Sequence, residues 1–234
     1  MFGGGEILFR LKKFLLFSAL CSLLILAACN NTTEEKIHEH LEEAVQIEED
    51  YEKEEDSIAE LEQDEQEIYK EIIGLSMEDY DKIKELVEDA NKNIDERTEL
   101  IQLEDESYEE SKNEFVKIEN LIKKLNDSDV KEKAEEMYDT MMERYSAYDE
   151  LHDAYVTILE KEKELYIIFE DKEAEQTELT EHLDNLNESY GVVIEVNDRF
   201  NEQTEKYNEL KKEFYNATDL DVEYQSNDKA KGTE

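Results

Sequence analysis

Cys21 and Cys29 are the only thiols in this 234-residue sequence, and an ionised thiol is a strong nucleophile. Cys29 directly follows an uncharged, mostly apolar run at residues 14–28, and basic residues at 10, 12 and 13 precede that run. The run has 15 residues, fewer than the roughly 20 that a helix needs to cross a bilayer. A basic segment followed by a short apolar one is typical of a secretory signal. We therefore expect residues 1–28 to be a signal peptide that delivers Cys29 outside the cytoplasm.

The residues at the end of the apolar run resemble the lipobox of bacterial lipoproteins: Leu26, Ala27, Ala28 and Cys29. The resemblance implies that the Cys29 thiol receives a diacylglyceryl group and that a signal peptidase recognises the three preceding residues and cuts before Cys29. Cys21 follows the bulky Leu20, which does not fit that pattern. Two acyl chains give stable anchoring, since each buried CH₂ contributes about 0.8 kcal/mol. The alternative is an uncleaved membrane anchor in which Cys29 is buried and inert.

Histidines and carboxylates could hold a metal, and Glu35 and His38 have the Glu-x-x-His spacing of di-iron helical bundles. Such a site needs a second pair with the same spacing, which neither His152 nor His182 provides. The sequence also lacks a His-Glu-x-x-His element, a glycine-rich phosphate loop and a Gly-x-Ser-x-Gly element. The sequence therefore predicts no metal, no cofactor and no catalytic residue, in a protein that is not an enzyme.

The elements that position these residues are predicted to be long helices. The chain has no proline, and 40% of its residues are charged. Apolar residues recur at alternating steps of three and four, and eleven of the fourteen such positions between 80 and 125 are apolar. The same spacing fits residues 47–75 and, in one unbroken phase, residues 130–214. This seam predicts an all-α fold, an elongated, antiparallel, coiled-coil-like bundle at residues 34–215.

Capping residues divide the bundle into helices. Thr32 and Glu35 can form a capping box at the start of the first helix, and Gly74 and Ser76 separate that helix from the second. A polar cluster at residues 126–129 separates the second helix from the third. Short connections make neighbouring helices antiparallel.

The course of the last helical segment has more than one solution. We expect three long helices, with the last one very long or broken once. A fold-back at residues 172–176 would give four helices of similar length, although those residues show no turn chemistry; a bend at Gly191 is the other option. Residues 29–33 would form the lipidated cysteine and a short tether, and residues 216–234 a flexible polar tail.

Thirteen tyrosines could stack against sugars. Seven lie on the seam and are expected to pack inside the bundle: Tyr51, Tyr80, Tyr108, Tyr148, Tyr155, Tyr190 and Tyr207. Four lie off the seam and are candidates for an exposed stacking surface: Tyr138, Tyr145, Tyr166 and Tyr215. Some seam positions hold charged residues, whose burial is costly unless they are paired, among them Glu54, Glu65, Glu104, Glu162 and Lys172. They suggest that the seam engages another helix, such as that of a second copy.

The charge of the chain restricts its partners. Its formal net charge is −41, and cleavage before Cys29 would leave 23 basic against 66 acidic residues, or −43. Nucleic acid is excluded because its recognition requires basic surfaces. Anionic lipid headgroups would repel the first helix, so the bundle should stand off the membrane. Contact with anionic wall polymers would need bridging divalent cations, hydrogen bonds to sugars or a basic protein.

A lipobox followed by about 185 residues of proline-poor, Glu- and Lys-rich helix is similar to the cell-wall-binding lipoproteins of bacilli, the YkyA-like family. That resemblance implies a Gram-positive envelope and attachment to the outer face of the plasma membrane. The expected function is a membrane-anchored, non-enzymatic module that contacts peptidoglycan or a wall-associated protein. The alternative is a lipid-tethered scaffold or spacer that binds a protein partner or self-associates as a homo-oligomer.

Overall fold

The computed structural model describes residues 32–220, without the side chains of residues 49–56. This part of the chain forms helices and turns only, in the order α1 (Thr33–Ile73), α2 (Tyr80–Phe115), the short α3 (Glu119–Ile122), α4 (Ser128–Glu170) and α5 (Gln176–Ala217). Short 3₁₀ turns at Met77–Asp79 and Val116–Ile118 precede α2 and α3. The predicted all-α class is therefore confirmed.

The helix boundaries follow from local hydrogen bonds. The Thr32 hydroxyl accepts from the Glu35 backbone N–H at 3.1 Å, and Glu35 accepts from the Thr32 N–H at 2.7 Å, which completes the predicted capping box of α1. Ser76 and Asp79 form the second predicted box, which opens the 3₁₀ turn before α2. The Asp127 carboxylate accepts from two backbone N–H groups at the start of α4.

The chain folds back between α4 and α5 at residues 171–175, where the sequence offered one of its two alternatives to a continuous last helix. α4 ends at Glu170, and the Asp171 carboxylate accepts from the Glu173 N–H at 2.8 Å. This is an Asx turn, because a short carboxylate bonded to the backbone two residues on competes with the helix. Gly191 lies inside α5, where no bend occurs.

Successive long helices are antiparallel, and the chain passes along the length of the bundle four times. Contacts between α1 and α2 pair Ser107 with Ile47 and Asn93 with Leu61, while α4 and α5 pair Arg144 with Thr204 and Lys161 with Ser189. We call the end that holds the start of α1, α3 and the end of α5 the proximal end. The distal end holds the turns at residues 74–79 and 171–175. With 41 residues, α1 spans about 60 Å between them.

The apolar core is divided along this length. At the proximal end one cluster joins all five helices, and its most buried members include Ile37, Phe115, Ile118, Met137 and Phe214. The distal half has two smaller clusters, one between α1, α2 and α4, and one between α4 and α5. Burying one such large side chain contributes about 1.5–3 kcal/mol. The division leaves polar side chains in the middle of the bundle.

The described part of the chain ends just after the last helix. α5 continues to Ala217, and Leu220 still packs against the proximal cluster. Residues 221–234 lie outside the described residues.

Candidate functional site

The predicted lipidation site, Cys29 with its recognition residues Leu26, Ala27 and Ala28, lies outside the described residues. The structure does describe Thr32, which caps α1 and stands three residues after Cys29. Three residues span about 10 Å when fully extended. A group attached to Cys29 would therefore be held close to the proximal end of the bundle.

The histidines of α1 make contacts between helices at the proximal end. The Nδ1 atom of His38 lies 2.9 Å from the Tyr215 hydroxyl of α5, and that of His40 lies 2.6 Å from the Glu114 carboxylate of α2. A hydrogen bond from Lys117 lowers the pKa of Glu114, and the His40 contact adds to this shift against the effect of burial. His38 thus orders the junction of the first and last helices.

The Glu-x-x-His pair of α1 is used for structure. Glu35 is bonded to the Thr32 N–H, and His38 faces Tyr215. Among the described side chains, which leave out those of residues 49–56, no group of three or more histidine, cysteine or carboxylate side chains is placed to hold a metal ion.

A buried ion pair joins α2 and α4 in the distal half. The Arg97 guanidinium donates to Glu162, and each side chain is only 2% exposed. Arg97 Nε also donates to Asn93 Oδ1 at 3.1 Å, and the Tyr190 hydroxyl of α5 donates to the second oxygen of Glu162. Burial is the largest single influence and lowers the pKa of Arg97, but the interactions with Glu162 and Tyr155 together outweigh it and the net shift is upward. The pair is therefore charged and ties three helices together.

Two further carboxylates of α1 meet tyrosine hydroxyls of α4. Tyr166 donates to the buried Glu65, and Tyr155 donates to Glu62 at 2.6 Å. Burial raises the pKa of Glu65 above its ordinary value, although the hydrogen bond from Tyr166 opposes the shift. Burial likewise raises the pKa of both tyrosines, so they remain neutral donors.

A second buried arginine lies in the proximal half. Arg144 Nη2 donates to Glu48 Oε2 at 2.8 Å and Nη1 donates to Oε1 at 3.1 Å, a bidentate pair. Its Nε donates to the Thr204 hydroxyl at 2.9 Å. The guanidinium carbon lies 4.7 Å from the centroid of the Phe200 ring and 5.3 Å from that of Tyr108. All faces of this cation are therefore occupied from within the chain.

These contacts change the meaning of the charged seam residues. Glu162 and Glu65 have partners inside the bundle, and the Lys172 ammonium lies 3.7 Å from the centre of the Tyr80 ring. Glu104 lines a cavity described below, and the side chain of Glu54 is outside the described part. Paired seam charges therefore give no reason to invoke a second helix.

The off-seam tyrosines do not form an exposed stacking surface, so that prediction is wrong. Tyr145, Tyr166 and Tyr215 are buried, and Tyr138 stacks on the Phe115 ring with centroids 5.5 Å apart. A helix that touches two neighbours buries a wider stripe than the seam of a two-stranded coiled coil. Among the tyrosines predicted to be packed, Tyr190 is instead 39% exposed.

A cavity of about 260 Å³ lies at mid-length between the two arginine sites. All four long helices line it, with these residues: Ile58, Ile101, Glu104, Tyr148, Leu151, His152, Tyr155, Val193 and Asn197. The sequence did not reveal this cavity, because its lining residues are spread over four helices. Arg97 and Arg144, which flank it, both stand at seam positions, and a basic residue on an apolar seam was the available signal.

Large apolar side chains that are at least half exposed lie in two parts of the bundle. Ile73, Met77 and Ile167 lie toward the distal end, whereas Leu103, Val192 and Ile194 lie near mid-length. None of the helices that the structure describes combines the length and the apolarity of a membrane-spanning segment.

The fold and these sites define a class, that of elongated helical bundles with a polar, tyrosine-rich interior. Within that class, the chain belongs to the family described as "Putative cell-wall binding lipoprotein", which matches residues 32–217. The resemblance recognised from the sequence is therefore confirmed. The family's description concerns binding and names no reaction.

Two similar proteins support this placement. The chain is 33% identical over 201 residues to the uncharacterized lipoprotein YkyA of Bacillus subtilis (strain 168), which covers 85% of this chain and 90% of that protein. A crystal structure of a conserved protein of unknown function from Staphylococcus aureus superposes with a TM-score of 0.66 at 18% identity. That match covers 79% of this chain and 96% of the other. At this identity the second likeness concerns the fold alone.

Proposed function

We propose that this chain is a non-catalytic lipoprotein whose bundle is tethered by Cys29 to the outer face of the plasma membrane and contacts the cell wall. The observation that carries the proposal is the start of α1 at Thr33, four residues after a cysteine in a lipobox-like sequence. Membership of a family described as "Putative cell-wall binding lipoprotein" supports the proposed contact with the cell wall. With so short a tether, the proximal end faces the lipid.

The distal end would then be the part of the described bundle that lies farthest from the membrane. α1 places it about 60 Å from Thr33. Ile73 and Met77 are each 57% exposed there, so apolar contact area is available on the side that faces the wall. Because the chain is strongly acidic, contact with anionic polymers needs divalent cations, sugar hydrogen bonds or a basic partner protein.

The anchor is tested by mass spectrometry of the protein purified from membranes. We expect a mature chain that begins at Cys29 and carries a diacylglyceryl adduct on its sulfur. Cys29→Ala should leave an uncleaved precursor, whereas the matched variant Cys21→Ala should be processed normally. A bare Cys29 thiol in the native protein would refute the anchor.

Wall contact is tested by sedimentation of residues 30–234 with purified peptidoglycan sacculi. We expect pelleting that increases with magnesium or calcium and decreases with a chelator. The double variant Ile73→Ser/Met77→Ser should pellet less, and the matched mid-length variant Leu103→Ser should behave like the original. A chain that stays in solution with and without cations would contradict the wall-binding half and leave the anchor unaffected.

A second candidate function is a lipid-tethered scaffold that binds a helical partner. Its support is that Val192 (50% exposed) and Ile194 (64% exposed) offer apolar contact area on α5 to a partner. Size-exclusion chromatography with light scattering decides whether the partner is a second copy. A strict monomer at micromolar concentration would remove self-association.

A further inference from the structure

The mid-length cavity has the features of a small-molecule site. It has a volume of about 260 Å³ and lies where the divided apolar core is interrupted, between the Arg97–Glu162 and Arg144–Glu48 pairs. We propose that this cavity binds a single-ring amphiphile that carries a hydroxyl or ammonium hydrogen-bond donor. The inference concerns a site separate from the tether and from the distal end, and it holds or fails independently of wall binding.

The walls of the cavity are largely apolar and held in place. Ile58, Ile101, Leu151 and Val193 contribute aliphatic surface from four different helices. An apolar cavity of about 150 Å³ in another protein stays dry and binds benzene. A volume of about 260 Å³ therefore accommodates one ring with a short substituent, below the roughly 300 Å³ of sites for larger ligands.

Two tyrosine rings in the wall are fixed by their own contacts. Tyr148 stacks on Tyr108 with ring centroids 3.6 Å apart and planes 2° apart. Tyr155 is anchored by its 2.6 Å hydrogen bond to Glu62. Rings that are already ordered lose little conformational freedom when a ligand packs against them, so the site is preorganised.

One polar atom in the wall lacks a partner. The Nε2 atom of His152 is buried, and no atom of the described structure lies within hydrogen-bonding range with suitable geometry. Its Nδ1 atom lies 3.8 Å from the Asp153 carboxylate, beyond hydrogen-bonding distance. A buried polar atom without a partner is costly. In the tautomer protonated at Nδ1, Nε2 is an acceptor, and a ligand hydroxyl or ammonium group that donates to it would remove that cost.

The charge around the cavity selects among such ligands. Glu104 lies in the wall, and the chain as a whole carries a net charge of −41. An anionic ligand would be repelled, whereas a neutral or cationic one is favoured.

The test uses the full chain in lipid nanodiscs and isothermal titration, with empty nanodiscs subtracted. Four single-ring probes separate the requirements: tyramine (cation with donor), p-cresol (neutral with donor), toluene (no donor) and 4-hydroxyphenylacetate (anion with donor). We expect one site per chain for tyramine and p-cresol. Toluene should bind about tenfold more weakly, as the loss of one hydrogen bond implies, and 4-hydroxyphenylacetate should bind more weakly because its negative charge is repelled. The absence of saturable binding for all four, or equal binding of all four, would overturn the proposal.

Matched variants locate the binding. Val193→Phe places a ring in the cavity and should abolish binding, whereas Val192→Phe makes the same change at an exposed neighbour and should leave it unchanged. His152→Phe keeps a ring but removes the acceptor, and it should equalise p-cresol and toluene. Each variant is used only if its circular dichroism and melting temperature match the original. Retained binding in Val193→Phe, or a retained preference for p-cresol in His152→Phe, would refute the site; if Val193→Phe misfolds, the His152→Phe result decides.

Discussion

At the scale of single residues, the interior of this bundle depends on charge pairing. Arg97 and Arg144 each reach a carboxylate from another helix, and hydroxyl groups complete both sites. Taking a guanidinium and a carboxylate out of water costs several kcal/mol each, and good geometry is needed to offset that cost. Removal of one partner leaves the other buried without compensation.

Arg97→Met should therefore destabilise the protein strongly, because it leaves the Glu162 carboxylate in the core without its cation. We expect a loss of about 3–5 kcal/mol in the free energy of unfolding, measured by urea denaturation. The double variant Arg97→Met/Glu162→Leu should recover much of the loss, since neither charge remains.

The matched control for this prediction is Arg199→Met. Arg199 pairs with Glu150 on the surface between α5 and α4, where its side chain is 44% exposed. Loss of an exposed pair changes stability by about 0–1 kcal/mol. Equal losses in the free energy of unfolding for Arg97→Met and Arg199→Met would show that the buried pair matters no more to stability than the exposed pair.

Glu65 gives the bundle a pH dependence of unusual sign. Burial raises the pKa of Glu65 in the folded state, so between the unfolded pKa of about 4.5 and this raised value the folded chain holds more protons. Stability from this group is then full below about pH 4.5 and declines as the pH rises through that window. Glu65→Gln should remove this decline. Compared with the original protein at the same pH, the variant should therefore be more stable at neutral pH than at pH 4.5.

Melting temperatures of Glu65→Gln measured from pH 4.5 to 7.5 test this. The matched control is Glu67→Gln, two residues away on the same helix and exposed, which should follow the original protein across the range. A constant difference between Glu65→Gln and the original at every pH would contradict the proposed titration of Glu65.

At the scale of elements, boundary residues were easier to predict than the number of helices. The Thr32–Glu35 and Ser76–Asp79 boxes form as their sequence spacing predicted, because a cap needs only residues three apart. Residues 172–176, at the junction of α4 and α5, carry no turn signal in the sequence. Asp171 supplies the turn chemistry, but an aspartate in a Glu- and Lys-rich helix is common, and only its tertiary setting shows that the helix stops there.

Gly191 provides a test of α5 as an uninterrupted helix. A Cβ atom added at this position would meet nothing within 4 Å. Gly191→Ala should therefore raise the free energy of unfolding by about 0.5–1 kcal/mol through helix propensity. Thermal or urea unfolding measures this gain, and a loss of stability would indicate a bend at Gly191 in solution.

The wider stripe of buried residues could not be read from a heptad pattern. Spacing of three and four located one seam, yet Tyr145 and Tyr166 are buried off that seam because α4 touches α2 on one side and α5 on another. A single helix sequence does not reveal how many neighbours it has. For the same reason the cavity, which needs four helices in register, could not be predicted.

At the scale of the whole molecule, excess negative charge opposes the compact state. The chain carries 67 acidic and 26 basic residues, so most surface carboxylates have no basic partner available. Salt screens such repulsion over a Debye length that falls from about 30 Å at 0.01 M to about 8 Å at 0.15 M.

The melting temperature should therefore rise between about 0.01 M and 0.15 M sodium chloride. Differential scanning calorimetry at fixed neutral pH measures the shift. The same titration on Arg97→Met should give a similar slope, because the buried pair is shielded from salt. A melting temperature that does not change would mean that the surface charges are already compensated locally.

The family and the all-α class could be predicted from the sequence because both depend on composition, periodicity and a short motif. The interior sites could not be predicted from the sequence, because Arg97 and Glu162 are 65 residues apart and meet only after folding. The anchor at Cys29 remains a prediction, since it depends on enzymatic processing rather than on packing.

Because the number of long helices is even, α5 ends at the same end of the bundle at which α1 begins. The beginning of α1 and the end of α5 are joined by His38 and Tyr215, so the N and C termini of the bundle leave from one face. A fluorescent protein fused directly after α5 would therefore sit at the proximal end, which the proposed lipid on Cys29 would hold at the membrane. The same label inserted in the turn at residues 171–175 would sit at the distal end, so the two fusions would report on the two ends of the bundle separately.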